Sequence, residues 1–220
     1  MSIPDKYTVQ PIKKFECKDW LLGKHYARRM PPISYAYGLF DINRILQGVC
    51  TFGIPASRFE GFGQPYELNR LVVNEDLEKN VLSFFVSHCL NQFPAPNVIV
   101  SYADPNNGHS GYIYQATNWA YTGLSNAHND WIINGQLMHE KSVVNSFGTS
   151  AREKLIEMGL NVETVKTLPK HRYFYFVGTR TERRKLRAIV LTKFAEAEYP
   201  KGDNRRYDAS YQPVTQSTLF

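Results

Sequence analysis

Only three cysteines, Cys17, Cys50 and Cys89, occur in 220 residues, an odd number with no close pair. That excludes a disulfide frame and a zinc knuckle, and points to a reducing, intracellular compartment. No apolar run approaches the ~20 residues of a membrane-spanning helix, and the opening MSIPDKYTVQ has no apolar signal core. No segment repeats and no Gly/Ser-rich linker divides the chain. One α/β domain over residues 1–202 is expected, with a polar tail at 203–220 and its weakest signals at 126–170.

Basic residues are present in excess. The net charge is +6 and hydrophobic residues make up 43%, ordinary for a folded domain. The excess is clustered: TRTERRKLR (179–187) holds five basic residues against one acidic, and GKHYARR (23–29) holds a second group. Such patches concentrate polyanions, nucleic acid above all. A solvated helix face is the plainer reading of either.

Strands and helices alternate along the first 125 residues. YTVQPIKK (7–14) reads as a strand, and KDWLLGKHYARR (18–29) as a helix stopped by Pro31 and Pro32. ISYAYGLFD (33–41) and RILQGVCTFGI (44–54) read as a hairpin, followed by the strand YELNRLVV (66–73). In KNVLSFFVSHCLNQF (79–93), Leu82, Val86, Leu90 and Phe93 recur at helical spacing. NVIVSYAD (97–104) is a buried strand; a short helix over 110–118 and a strand from Trp119 follow. Beyond 126, QLMHEKSVV (136–144) reads as a strand, SAREKLIEMG (150–159) as a helix and RYFYFVG (172–178) as a strand. The order suits a mixed α/β sheet flanked by helices and resembles that of the GNAT acyltransferases.

Chemistry concentrates in three places. At the junction ELNRLVVNEDLEKNVLSFF, Asn80 can cap the helix, placing Ser83 in its first turn among unpaired N–H groups. Arg70 can face a cleft from the preceding strand. The plain alternatives are an ordinary first-turn serine and an ion pair of Arg70 with Glu67 or Glu75. The turn NEDLEKN has no glycine and three acidic residues, which argues against a pyrophosphate there. In SYADPNNGHSGYIYQATNWAYTG (101–123), Asp104 and His109 form an acid/base or metal-ligand pair, or else a turn opener and a helix cap. Tyr102, Tyr112, Tyr114, Trp119 and Tyr121 offer stacking platforms for a base, although core packing claims at least two of them. Gln115 and Asn118 are amides of the kind that pair with adenine. In KHYARR, His25 is a ligand or proton shuttle beside Arg28 and Arg29, or simply part of a basic helix end.

These segments together resemble the Mom family of bacteriophage DNA-modification proteins. The resemblance rests on KHYARR, SYAYGLF, ELNRLVVNEDLEKNVLSFFVS and SYADPNNGHSGYIYQATNWAYTG, and covers roughly residues 20–125. It implies a GNAT-like fold, transfer of a methylcarbamoyl group to adenine N6 in phage DNA, protection from host restriction, and action in the host cytoplasm. Carried over residue by residue, it implies functional roles for Arg70 and Ser83; Asn80, the candidate helix cap, is placed beside them at the donor site by its position in the sequence. Tyr26, Asp104 and Tyr114 are implied at the reacting centre, and His25, Asp104 and His109 as ligands of an iron. The donor is left open between acyl-coenzyme A and another molecule. Arg28, Arg29, Arg183, Arg184 and Lys185 would contact double-stranded DNA, with Gln115 and Asn118 on the base. A GNAT acetyltransferase acting on a protein or small molecule, and a basic DNA-binding protein without catalysis, are the alternative readings.

Overall fold

The computed structural model describes residues 2–57, 59, 61, 63–127, 129–138 and 140–201; the expected tail at 203–220 lies outside these. A short α1 (Ile3–Lys6) leads into β1 (Tyr7–Pro11). The expected helix over 18–29 is much shorter. A 3-10 turn (Lys14–Cys17) and a π-helical turn (Trp20–Lys24) end where His25 becomes extended, at φ −72° and ψ 134°. Leu21 and Cys17 are fully buried there and hold the turn against the sheet, so tertiary packing overrides the helical spacing. The basic run 25–29 is therefore a loop.

The hairpin forms as β2 (Tyr35–Asp41) and β3 (Leu46–Gly53), paired antiparallel, and β4 (Tyr66–Val73) adds to β3. α2 (Val81–Gln92) buries Val81, Phe85, Val86, Cys89 and Leu90, a face rotated from the expected one, which leaves Leu82 half-buried. β5 (Asn97–Ala103), the five-residue α3 (Tyr112–Ala116) and β6 (Ala120–Leu124) follow. QLMHEKSVV is not one strand: β8 (Gln136–Met138) stops, and α4 (Glu140–Phe147) begins at Glu140. With β7 (Asn129–Ile133), α5 (Arg152–Glu157), β9 (Val162–Lys166), β10 (His171–Val177) and α6 (Arg180–Lys193) the described chain is complete.

Seven strands form one sheet in the order β1-β2-β3-β4-β5-β10-β6. All its pairings are antiparallel except β4 with β5, which touch over only two positions, Tyr66 with Ile99 and Glu67 with Val100. Beyond these the two strands part. Side chains alternate between the faces: Ile99 and Tyr173 pack with α2, whereas Val98, Val100, Phe174 and Phe176 pack with Val190 of α6. α2 and α6 thus cover opposite faces.

Residues 125–170 are inserted between the neighbours β6 and β10. The insertion has its own sheet, in the order β8-β7-β9, and a small core of Ile133, Val143, Leu155 and Val162. Its two ends are tied together: Ser125 N–H donates to the Lys170 carbonyl at 2.7 Å, and Lys170 N–H to Ser125 Oγ at 2.9 Å.

Candidate active site

Where β4 and β5 part, a cavity of about 1320 Å³ opens, walled on one side by Arg70, Ser83 and the 104–111 loop and on the other by the insertion. Its apex is closed by hydrogen bonds. Ser101 Oγ lies 2.8 Å from the Leu68 carbonyl and 2.7 Å from Tyr114 Oη. A serine has one proton to give; with it committed to the carbonyl, the Tyr114 phenol donates to Ser101. The pair bridges the strands where their own ladder stops.

Arg70 Nη1 donates to the Asn69 carbonyl at 2.6 Å, and Arg70 Nε is buried without a hydrogen-bond partner. The ion pair with Glu67 or Glu75 does not form: among the described residues no carboxylate stands within salt-bridge distance of Arg70. Burial and the nearby Arg29 push the guanidinium below its ordinary value, both because they disfavour a charge left uncompensated. An anion in the cavity would relieve it.

Asn80 occupies the position before α2 but does not cap it. Its backbone is left-handed, at φ 72°, and its side chain makes no capping bond. Its carbonyl instead accepts from Ser83 Oγ at 2.9 Å and from Phe84 N–H at 3.0 Å. Asn80, Leu82 and Ser83 all line the cavity, so the positive end of α2 opens onto it. The acidic turn is less forbidding than its sequence. Lys6 holds Glu78 at 2.7 Å, and Asp76 is off the cavity wall.

Asp104 lines the cavity with its carboxylate engaged. Oδ1 accepts from the backbone N–H and the side-chain amide of Asn106, at 3.0 and 2.8 Å, and Oδ2 pairs with Lys170 at 2.9 Å. Burial raises its pKa, but Lys170 and Asn106 outweigh that and hold it below the usual carboxylate range. Asp104 is thus the clasp of a turn that His109 N–H closes onto its carbonyl at 3.1 Å.

The expected iron ligands do not fit a metal. His25 is buried, and burial together with Arg70, His109 and Arg29 pushes its pKa down to about 3. Its Nδ1 accepts from Ala27 N–H at 3.0 Å, so the neutral ring carries its proton on Nε2 and offers a metal no lone pair. Asp104 is occupied as described. Among the described residues no group of three or more His, Cys, Asp or Glu could hold a metal ion.

Tyr26 lines the cavity with its ring 4.3 Å from His25 and 5.7 Å from His109. Tyr114 is mainly a core residue, against Trp119 and Tyr173 at 5.0 and 5.1 Å, and burial pushes its phenol up. Trp119 and Tyr121 are core as well, whereas Tyr112 is 56% exposed at the rim. Gln115 and Asn118 are off the wall. Gln115 donates to Tyr173 Oη at 3.3 Å, and Asn118 takes the left-handed turn after α3, at φ 61°. Arg29 reaches the cavity but Arg28 does not.

Arg183, Arg184 and Lys185 lie elsewhere altogether. β10 runs antiparallel to β5, with His171 opposite Ala103 and Val177 opposite Asn97. The start of α6 is therefore at the end of the sheet remote from the cavity, and on the face opposite α2. The structure separates the basic helix from the site that the sequence grouped with it.

A family model described as the Mom protein family matches residues 6–201. The chain belongs to that family. A relative, the methylcarbamoylase Mom of Escherichia phage Mu, is 27% identical over 206 residues, covering 88% of this chain and 83% of the relative. Among solved structures, a histone acetyltransferase-related protein of Corynebacterium glutamicum is 11% identical, with a TM-score of 0.47 over 80% of this chain and 99% of that one. A GNAT-family acetyltransferase of Bacillus cereus is 10% identical, with a TM-score of 0.41 over 78% and 98%. The family match extends well past residue 125, where the motifs end, and takes in the insertion.

Sequence reasoning missed that wall. Asp130, Leu137, Val165, Lys166 and Lys170 all line the cavity. Each is a single residue in a segment without motif or strong periodicity. The one usable signal was Lys170, a lone cation just before a strand whose neighbour ends in Asp104.

Proposed function

We propose that this chain transfers a methylcarbamoyl group to N6 of adenine in DNA, as the family resemblance implies and as the name of the Mu relative suggests for that protein, and that the modification shields phage DNA from restriction. Arg70 carries the reading: a buried guanidinium without an ion pair, facing a cavity large enough for two reactants. Acyl transfer to a weak amine puts negative charge on the carbonyl oxygen, and a preorganised cation there lowers the barrier. The N–H groups at the start of α2 serve the same charge or an anionic part of the donor.

Adenine N6 reaches such a site only when the base leaves the helix, at a cost of roughly a few kcal/mol. Tyr112 at the rim and Tyr26 on the wall offer ring faces to the extruded base. Arg29, Lys79 and Lys166 bring positive charge to the cavity wall for the flanking phosphates. The Asp104–Lys170 pair joins the 104–111 loop to the base of the insertion and positions both.

Mass spectrometry of nucleosides from DNA of expressing cells tests this. A heavier deoxyadenosine is expected with the wild type and none with Arg70→Ala at equal soluble protein. Unmodified DNA with folded wild-type protein, or full modification by Arg70→Ala, overturns it. The open start of α2, with Glu78 held by Lys6, favours a second reading in which the donor is an acyl-coenzyme A. Calorimetry with acetyl-coenzyme A checks that: binding that Ser83→Ala and Arg70→Ala weaken supports it, and no heat with the wild type sinks it.

A further inference from the structure

Three buried side-chain polar atoms among the described residues have no hydrogen-bond partner: Arg70 Nε, Trp119 Nε1 and Asp130 Oδ1. Trp119 is off the cavity wall. Arg70 and Asp130 both line it, one a cationic donor from the large sheet, the other an anionic acceptor from the insertion. A buried polar atom left unpaired costs free energy that a ligand restores. The two together therefore describe a ligand pair that offers an acceptor to Arg70 and an N–H or O–H donor to Asp130.

The local structure aims Asp130 at the cavity. β7 is the middle strand of its sheet, and Trp131 and Ile133 turn to the insertion's own core. By alternation Asp130 and Ile132 take the other face. Their cross-strand partners, Val165 for Asp130 and Leu137 for Ile132, share that face, and Val165 and Leu137 line the cavity. Asp130 is thus a carboxylate on that face, set among the apolar side chains Val165 and Leu137. Asp104, the carboxylate that the motifs nominate, already has Asn106 and Lys170 on its oxygens.

We propose that Asp130 accepts a hydrogen bond from the amine that is modified, the N6–H of adenine under the function proposed above, and so selects an amino-bearing base edge. The inference rests on that function and adds a residue on the insertion that binds the acceptor base.

The test is anisotropy with the full chain and two labelled single-stranded oligonucleotides. They are identical except that one adenine is replaced by purine, which lacks the 6-amino group. Wild-type protein is expected to prefer the adenine oligonucleotide by about tenfold, the scale of a hydrogen bond to a charged group. Asp130→Ala abolishes the preference and Asp130→Asn, which keeps an acceptor oxygen, retains part of it. Asn129→Ala, on the opposite face of the same strand, leaves it intact. Equal preference in wild type and Asp130→Ala overturns the role of Asp130, as does a wild type with no preference. Nucleoside mass spectrometry alongside separates the two failures. Modified deoxyadenosine without an Asp130-dependent preference leaves the function standing and removes only the Asp130 inference. Unmodified DNA and no preference remove both.

Discussion

The two walls of the cavity are built to different standards. The seven-stranded sheet is held by a large core in which Phe52, Phe85, Trp119, Tyr173 and Phe174 are fully buried. Among the described residues the insertion rests on four buried side chains, and in β9 only Val162 is buried. A large core fixes Arg70 and the start of α2, whereas a small one holds Asp130 and Leu137 on an element that opens at lower cost. Under the function proposed above, the rigid wall is where charge develops and the yielding wall is where the polymer enters.

The comparison breaks if the two cores respond alike. Phe85→Ala empties a fully buried ring site in the main core, and a loss of about 3–5 kcal/mol in global stability is expected in denaturant unfolding. Leu155→Ala removes an equally buried side chain from the insertion, with a local cost of about 2–4 kcal/mol. Hydrogen exchange should then quicken over 129–166 while β3, β4, β5 and β10 keep their protection. Equal quickening of both sheets by Leu155→Ala would show one cooperative unit.

Gly111 sharpens the comparison at the rigid wall. It has φ +86°, and a Cβ there would stand 2.4 Å from the Tyr173 ring, whose hydroxyl donates to the Ser110 carbonyl at 2.5 Å. Left-handed backbone favours glycine, and the ring cannot retreat from a packed core. Gly111→Ala should cost about 2–3 kcal/mol in denaturant unfolding and displace the 104–111 loop, with modification falling further than stability alone explains. An Ala variant as stable and active as the wild type would mean that the loop is not fixed by this contact.

Acid should act on the rigid wall through His25. Its folded pKa, about 3, lies below its ordinary value, so the folded state binds fewer protons than the unfolded. The associated stability is complete above about pH 6.5 and is lost as pH falls towards the folded value, at no more than about 1.4 kcal/mol per unit. His25→Asn keeps an acceptor for Ala27 N–H and cannot titrate. Its stability should therefore fall less steeply than that of the wild type between about pH 6 and 4. Parallel curves would remove His25 from the account.

The rigid wall was legible in the sequence and the yielding one was not, for the same physical reason. β3, β4 and β5 are apolar runs, and Arg70 with Ser83 sits at a strand–helix junction whose spacing is distinctive. Large burial writes a periodic pattern. The insertion's strands are mostly exposed, so QLMHEKSVV reads as a single strand although its helix starts at Glu140. Asp130 is one acid in a segment with no motif. The reading also erred where packing overrode spacing, at the helix expected over 18–29. It also grouped TERRKLR with the cavity's residues as contacts to one DNA, whereas that helix starts at the other end of the sheet.

That last separation yields the smallest effect and the finest test. Arg183, Arg184 and Lys185 are exposed, and Arg187 on the same helix pairs with Glu196. Lys166 is also exposed, but at the cavity. Removing a phosphate contact lowers the salt dependence of DNA affinity by about one unit of slope. Lys166→Ala should do this on a duplex just long enough to cover the cavity, whereas the triple substitution of Arg183, Arg184 and Lys185 by Ala should leave that slope unchanged. On longer duplexes the triple variant should lose slope too, because α6 then meets DNA beyond the modified base. Melting of both variants should stay within about 0.5 kcal/mol of wild type, as for surface changes generally. Should the triple variant lose slope on the short duplex, DNA would cross the α6 face at the modified base. The insertion would then no longer be the wall through which the polymer enters.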